Sequence, residues 1–221
     1  MSEGRLGALE LVRVRGRSML PTLADGDVLL VRGGGRVHRA RPGRLVVVDE
    51  SFMDFAPDEN RSLASCAREG LAVVRSLTKV WGLAGVRAGY LLGARDLVAR
   101  LEAARQPWPV NSVAIAAIEV CADDRQTPAR VAAEVAVQRA RLMPALAGLD
   151  GVEVWPSDAN FLLLRVREAL AVIACLRNQG IAVRPAADFP GLGEDFIRIA
   201  VRGRADNERL AEAIATAVAR C

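Results

Sequence analysis

Lysine is almost missing from this chain of 221 residues. Of its 30 basic residues one is a lysine, Lys79, and the rest are arginines. Arginine stays charged and cannot act as a neutral amine nucleophile, so a lone lysine marks a position where the amine itself counts. Histidine is as scarce: His38 stands alone, which leaves little material for a multi-histidine metal site or a Ser-His-Asp triad, and no metal is expected. The four cysteines (Cys66, Cys121, Cys175, Cys221) form no C-x-x-C and no paired spacing, so free thiols in a reducing compartment are expected. Aromatic residues make up 4% of the chain, with one tyrosine. No base-stacking pattern stands out, and nucleic-acid binding is not expected. Apolar runs stay below about ten residues, too short for a membrane-spanning helix. The segment MSEGRLGALELVRVRGR carries charge every few residues and lacks the apolar core of a secretory signal. A cytoplasmic location is expected.

Hydrophobic residues nevertheless account for 52% and charged residues for 25%, enough for a packed core rather than a disordered chain. The net charge of +4 is uneven: residues 1–44 hold nine arginines against four acids, and the remainder is close to neutral. LELVRVRG and VLLVR flank a turn-rich stretch and read as strands within 9–32. LVVV at 45–48 and LAVVRSL at 71–77 read as further strands. From residue 83 the pattern turns helical, with helices at 94–105, 112–122 and 128–147. VEVW (152–155), NFLLLRV (160–166), IAVRP and FIRIAV (196–201) read as strands. A helix over 167–179 closes at Gly180, and the last helix, 205–220, starts at a cap by Asp206 or its neighbour. Trp81 and Trp108 are expected to pack in the core or at an interface.

The chemistry concentrates around the lysine, in RSLTKVWGLAGVRAGY (75–90). Within twelve residues this run offers an amine, two hydroxyls and a guanidinium, with glycines where backbone can approach closely. Such a set suits a phosphate monoester attached to a carbonyl compound: Lys79 bonds to the carbonyl carbon, while Ser76 and Arg87 hold the phosphate. Upstream, Asp49 sits just past a buried strand. A carboxylate there can pair with a pyridinium nitrogen and keep it protonated. Ser76-x-x-Lys79 also matches the S-x-x-K of penicillin-binding enzymes, but those need a second lysine in K-T-G.

Residues 45–221 resemble the C-terminal half of a class I/II (fold-type I) pyridoxal-phosphate aminotransferase. The segments that carry the resemblance are VVVDESFMDF, RSLTKVWGLAGVRAGYLLG, RQPWPVNSVA, SDANFLLLRV and GIAVRPAADFPGLGEDFIRIAVR. Within that superfamily the chain is most similar to threonine-phosphate decarboxylase of cobalamin biosynthesis and to histidinol-phosphate aminotransferase. The resemblance implies pyridoxal 5'-phosphate as cofactor, with Lys79 as the catalytic, cofactor-bearing lysine and Asp49 as the pyridinium partner. Ser76 and Arg87 become phosphate ligands. Arg198 would bind the substrate carboxylate, with Asn160 in the substrate pocket. It also implies a small phosphorylated amino-acid substrate and a homodimer. A tyrosine that hydrogen-bonds the cofactor in many aminotransferases is replaced by Phe52.

The implied fold is α/β: part of a fold-type I large domain (45–145), then a C-terminal α+β small domain (146–221), preceded by a short β segment (1–44). The first half of such an enzyme has no counterpart among the matching segments. Residues 9–48 instead resemble the start of a signal-peptidase-like serine protease, through GRSMLPTL, GDVLLV and RPGRLVVV. There Ser18 takes the nucleophile's place. The base lysine such a protease needs is an arginine in LAVVR (71–75). The alternatives to a pyridoxal-phosphate decarboxylase or transaminase are therefore a fusion fragment without turnover, or a serine protease using Ser18.

Overall fold

A computed structural model describes residues 9–13, 28–32, 45–56, 62–66, 70–124, 126–189 and 191–220. The chain divides into two units, one drawn from residues 1–51 and 60–123, the other from 52–59 and 124–221.

In the first unit, β1 (Leu9–Arg13) and β2 (Val28–Arg32) form an antiparallel ribbon with Leu9 opposite Arg32. A second sheet has the order β3 (Val46–Asp49), β4 (Leu71–Ser76), β5 (Gly89–Gly93). β4 is central. Its Leu71, Ala72 and Val73 are buried, as expected for a short continuous apolar run inside a sheet. It pairs parallel with β3 and antiparallel with β5.

β5 corrects the sequence reading, which passes from the glycine-rich run directly to helices. GYLLG becomes a strand because β4 offers it a partner, and its first residue must be glycine. A Cβ on Gly89 would lie 2.6 Å from the Arg75 carbonyl oxygen. Helices α1 (Arg95–Ala104) and α2 (Ser112–Asp123) follow. Leu77 and Ala88 pack on Ala114 of α2, with Trp81, Val86 and Ile118 around them. Trp108 is 94% exposed and so is not part of this core.

In the second unit, α3 (Gln126–Ala147), α4 (Ala169–Asn178) and α5 (Arg204–Val218) pack with a four-stranded sheet. Its order is β6 (Val152–Val154), β7 (Phe161–Val166), β9 (Phe196–Ala200), β8 (Arg184–Pro185), antiparallel throughout. Alternation sorts the faces. Leu162, Leu164 and Val166 of β7, with Ile197 and Ile199 of β9, enter a core shared with Leu142, Leu146, Val172, Leu176 and Ile214. Each such side chain, fully buried, contributes about 1.5–3 kcal/mol.

α4 ends as the sequence implies. Gly180 has φ +72, and Ile181 N–H donates to the Leu176 carbonyl at 2.9 Å. The start of α5 does not follow expectation: no side chain caps it, and Gly203 is the capping residue. Asp206 instead pairs with Arg202 at 2.8 Å. The fastening comes from Asn207, whose amide donates to the Arg202 carbonyl at 2.7 Å and accepts its N–H at 2.9 Å. A buried amide is thereby satisfied at both ends.

Candidate functional site

In the first unit, the ends of β3 and β4 carry the chemistry. Asp49 closes β3, with its side chain on the exposed side. Its Oδ1 accepts the Ser51 N–H at 2.9 Å and the Ser51 hydroxyl. Asp49 stands opposite Val74 in the parallel register. Side chains alternate along a strand, so Ser76, two residues beyond Val74, shares Asp49's face.

Ser76 Oγ lies 2.7 Å from Thr78 Oγ1 and accepts the Thr78 N–H at 3.2 Å. This turn presents Lys79 to solvent, while Leu77 and Val80 on either side are buried. The Lys79 carbonyl accepts the Gly82 N–H at 3.0 Å, and Gly82 has φ +66.

Leu77 N–H donates to the Ala88 carbonyl at 3.1 Å. The β4–β5 ladder thus runs one step past its strands, and Arg87 falls at the next step. Arg87 is exposed and left-handed, with φ 58 and ψ 42. A left-handed arginine carries backbone strain, and such residues collect at functional sites. Asn111 steadies this segment: its Oδ1 accepts the Ala114 N–H at 2.8 Å at the start of α2, and its Nδ2 reaches the Val86 carbonyl at 3.4 Å. Asp49, Ser76, Lys79 and Arg87 therefore belong to one unit, along adjoining strand ends and the turn that follows.

The opposite face of the same strand ends holds a buried polar cluster that no sequence motif announces. Arg75 Nε donates to Glu50 Oε2 at 2.9 Å, with both side chains at most 4% exposed. Ser62 Oγ donates to the same oxygen at 2.7 Å, and Arg75 Nη2 donates to Ser62 Oγ at 2.9 Å. Leu63 N–H donates to Glu50 Oε1 at 2.7 Å. Arg75, the arginine where a protease base would be wanted, is thus a buried ion-pair partner.

In the second unit, Asn160 directly precedes β7 and Arg198 is the middle residue of β9. The Asn160 carbonyl accepts the Val201 N–H at 2.8 Å, and Arg198 stands opposite Leu163. The Arg198 guanidinium stacks over the Phe161 ring, 4.8 Å from its centroid. Phe52, which stands where many aminotransferases have a tyrosine, meets that ring edge-on at 5.1 Å. Buried Arg139 donates to the Ala159 and Asp158 carbonyls at 2.8 and 3.2 Å, fixing the turn before Asn160.

Arg184 joins this group, although a two-residue strand gives little sequence signal. It stands opposite Arg198 in the β8–β9 register, pairs with Asp188 at 3.0 Å and stacks over Phe189. Burial, and then the Arg184 charge, push the Arg198 pKa below its ordinary value.

Ser18 lies outside the described residues. Among the described residues no three His, Cys, Asp or Glu side chains cluster as metal ligands would, and no helix is long and apolar enough to cross a membrane. Cys121 and Cys175 form no disulfide. A cavity of about 330 Å³ between α3 and α5 is lined by Gln138, Leu142, Asn207 and Ala211, and none of the candidate residues lines it.

The chain matches the family model "Aminotransferase class I and II" over residues 36–214. It is similar to a histidinol-phosphate aminotransferase of Mycobacterium tuberculosis, 41% identical over 164 residues that make up 73% of this chain and 45% of that protein. It is also similar to the threonine-phosphate decarboxylase of Salmonella typhimurium, 36% identical over 172 residues, 76% of this chain and 47% of that one. Among solved structures, the L-threonine-O-3-phosphate decarboxylase of Porphyromonas gingivalis superposes with a TM-score of 0.69 at 31% identity, covering 77% of this chain and 54% of the other. The chain spans about half the length of the curated relatives it matches.

Proposed function

The chain belongs to the aminotransferase class I and II family, and on that premise we propose that it binds pyridoxal 5'-phosphate through Lys79 and acts on a small phosphorylated amino-acid-type substrate. Its mixed α/β architecture is part of the fold-type I aminotransferase fold. The observation that carries the proposal is the donor set of the first unit: a carboxylate, a hydroxyl pair, an amine and a guanidinium along two strand ends and one turn.

The residues fit the cofactor chemically. Asp49 would hold the proton of a pyridinium nitrogen. The Ser76–Thr78 hydroxyl pair, one orienting the other, and the Arg87 guanidinium would donate to a phosphate. Lys79 Nζ is the chain's one lysine amine; it would carry the covalent attachment and, when released, move a proton at the substrate's α-carbon. When bound, pyridoxal phosphate supplies the electron sink for bond breaking at that carbon. Arg198 and Arg184 would receive the substrate's anionic group, and Asn160 would line the substrate pocket.

Whether the bond broken is to a carboxylate or to a proton divides the two named activities. The decarboxylase reading would place the chain in cobalamin biosynthesis. A homodimer, a cytoplasmic location and the division into 1–44, 45–145 and 146–221 belong to the same reading. A second outcome, cofactor binding without turnover, is separated from this reading by the same experiment.

The test is the visible spectrum of the purified chain with pyridoxal phosphate, followed by assays with threonine phosphate and histidinol phosphate. A cofactor band and a product from either substrate support the enzyme. A band with no product leaves binding alone, and no band removes both.

A further inference from the structure

The Glu50–Arg75–Ser62 cluster lies on the face opposite Asp49 and Ser76, yet each of its charged members is the chain neighbour of a proposed cofactor ligand. We infer that this cluster is a positioning device: Arg75, through Glu50 and Ser62, sets Asp49 and Ser76 in register with each other. The inference rests on the pyridoxal-phosphate reading of that face and assigns roles to three residues which that reading does not use.

The backbone shows why a device is needed here. Glu50 N–H donates to the Val74 carbonyl at 2.8 Å, and this is the last rung between β3 and β4. Past it, β3 turns away at Ser51 while β4 continues through Arg75 and Ser76. Strand ends beyond the last rung open readily. The Arg75–Glu50 bond at 2.9 Å serves as one further rung, made of side chains.

Burial makes the rung selective. A buried charge pair is a poor way to add stability, because both ions leave water; its best-attested use is to specify register. A slip of one residue between β3 and β4 would put Asp49 and Ser76 on opposite faces and break the Glu50–Arg75 bond. Ser62 tightens the arrangement, since its hydroxyl bonds both members. The Leu63 N–H on Glu50 Oε1 fixes the carboxylate's second oxygen. Nothing in the cluster faces the proposed cofactor, so its members are positioning residues.

The experiment compares the wild-type chain with Arg75→Lys and with the packed apolar pair Glu50→Leu/Arg75→Met, which removes both charges of the pair. The first readout needs no cofactor: hydrogen exchange at the amides of Glu50, Ser51, Leu77 and Thr78, all of which have acceptors. The amides of β7 and β9 serve as the internal reference. Positioning predicts that the apolar pair folds and keeps reference protection, but exchanges at least tenfold faster at these four amides, with Arg75→Lys intermediate. The second readout is the dissociation constant of pyridoxal phosphate, expected to rise at least tenfold in the apolar pair. Unchanged exchange in a folded apolar pair overturns the inference, whatever the cofactor does. Faster exchange with no cofactor binding even in wild type upholds the positioning and overturns the functional reading instead.

Discussion

Arg184 and Arg198 stand opposite each other across the β8–β9 pair. Like charges directly opposed in a sheet are unfavourable; burial first, and the Arg184 charge second, lower the Arg198 pKa. Asp188 neutralises Arg184 at 3.0 Å, while no carboxylate lies within ion-pair distance of Arg198 among the described residues. The aromatic faces of Phe161 and Phe189 hold the two guanidiniums in place. On the proposed reading this pair receives the substrate's anionic group.

Inorganic phosphate should therefore raise the melting temperature of the chain, and Arg198→Met should remove most of the increment. A charged hydrogen bond is worth about 1.5–3 kcal/mol, so the variant's phosphate affinity falls at least about tenfold. Asp188→Asn should act in the other direction. It removes a competing carboxylate from an exposed pair worth about 0.2–1 kcal/mol, so phosphate binds up to about fivefold more tightly. Calorimetric titration with phosphate reads both.

Gly89→Ala tests the close approach of β5 to β4. The new Cβ would meet the Arg75 carbonyl oxygen at 2.6 Å, and backbone cannot swing aside as a flexible side chain does. Overpacking of this kind costs about 1–3 kcal/mol. Because Gly89 stands opposite Ser76, the variant should lose cofactor affinity along with stability. Denaturant unfolding and cofactor titration measure the two effects separately.

Asp124 gives the second unit an acid-sensitive helix start. Its carboxylate accepts the Thr127 hydroxyl and the N–H groups of Thr127 and Gln126, and these bonds hold its pKa below the ordinary value. A depressed carboxyl pKa means that the charged form stabilises the fold. That contribution is complete above the ordinary range near about pH 4 and disappears as the pH falls through the depressed value. Asp124→Asn should remove this part of the acid dependence. Helicity followed by circular dichroism from neutral to low pH, wild type against variant, checks it.

Much of this architecture is legible along the chain where a segment carries its own pattern. NFLLLRV alternates, and its alternate residues are buried in β7. Gly180 marks the end of α4 by its left-handed backbone. Legibility fails where a partner decides. GYLLG has glycines at both ends and becomes a strand through pairing with β4. Arg75 inside LAVVRS gives no hint of burial until Glu50, 25 residues earlier, is brought against it. Asp206 has the right type and place for a cap, yet Arg202 takes its carboxylate and Asn207 does the fastening. The candidate cofactor residues stand out in the sequence because Lys79 is alone and its neighbours form a continuous motif. Arg184 does not, because only its place opposite Arg198 gives it meaning.

The most direct measurement is borohydride reduction of the chain in pyridoxal phosphate, followed by peptide mapping, with Lys79→Ala alongside. Lys79 is exposed, so the substitution should change stability by no more than about 0.5 kcal/mol, and a lost signal will report chemistry rather than unfolding. The expected result is one phosphopyridoxyl group on the peptide containing Lys79 and none on the folded variant. Labelling confined to the N-terminal amine, or equal in wild type and variant, would contradict the assignment of this site to the cofactor.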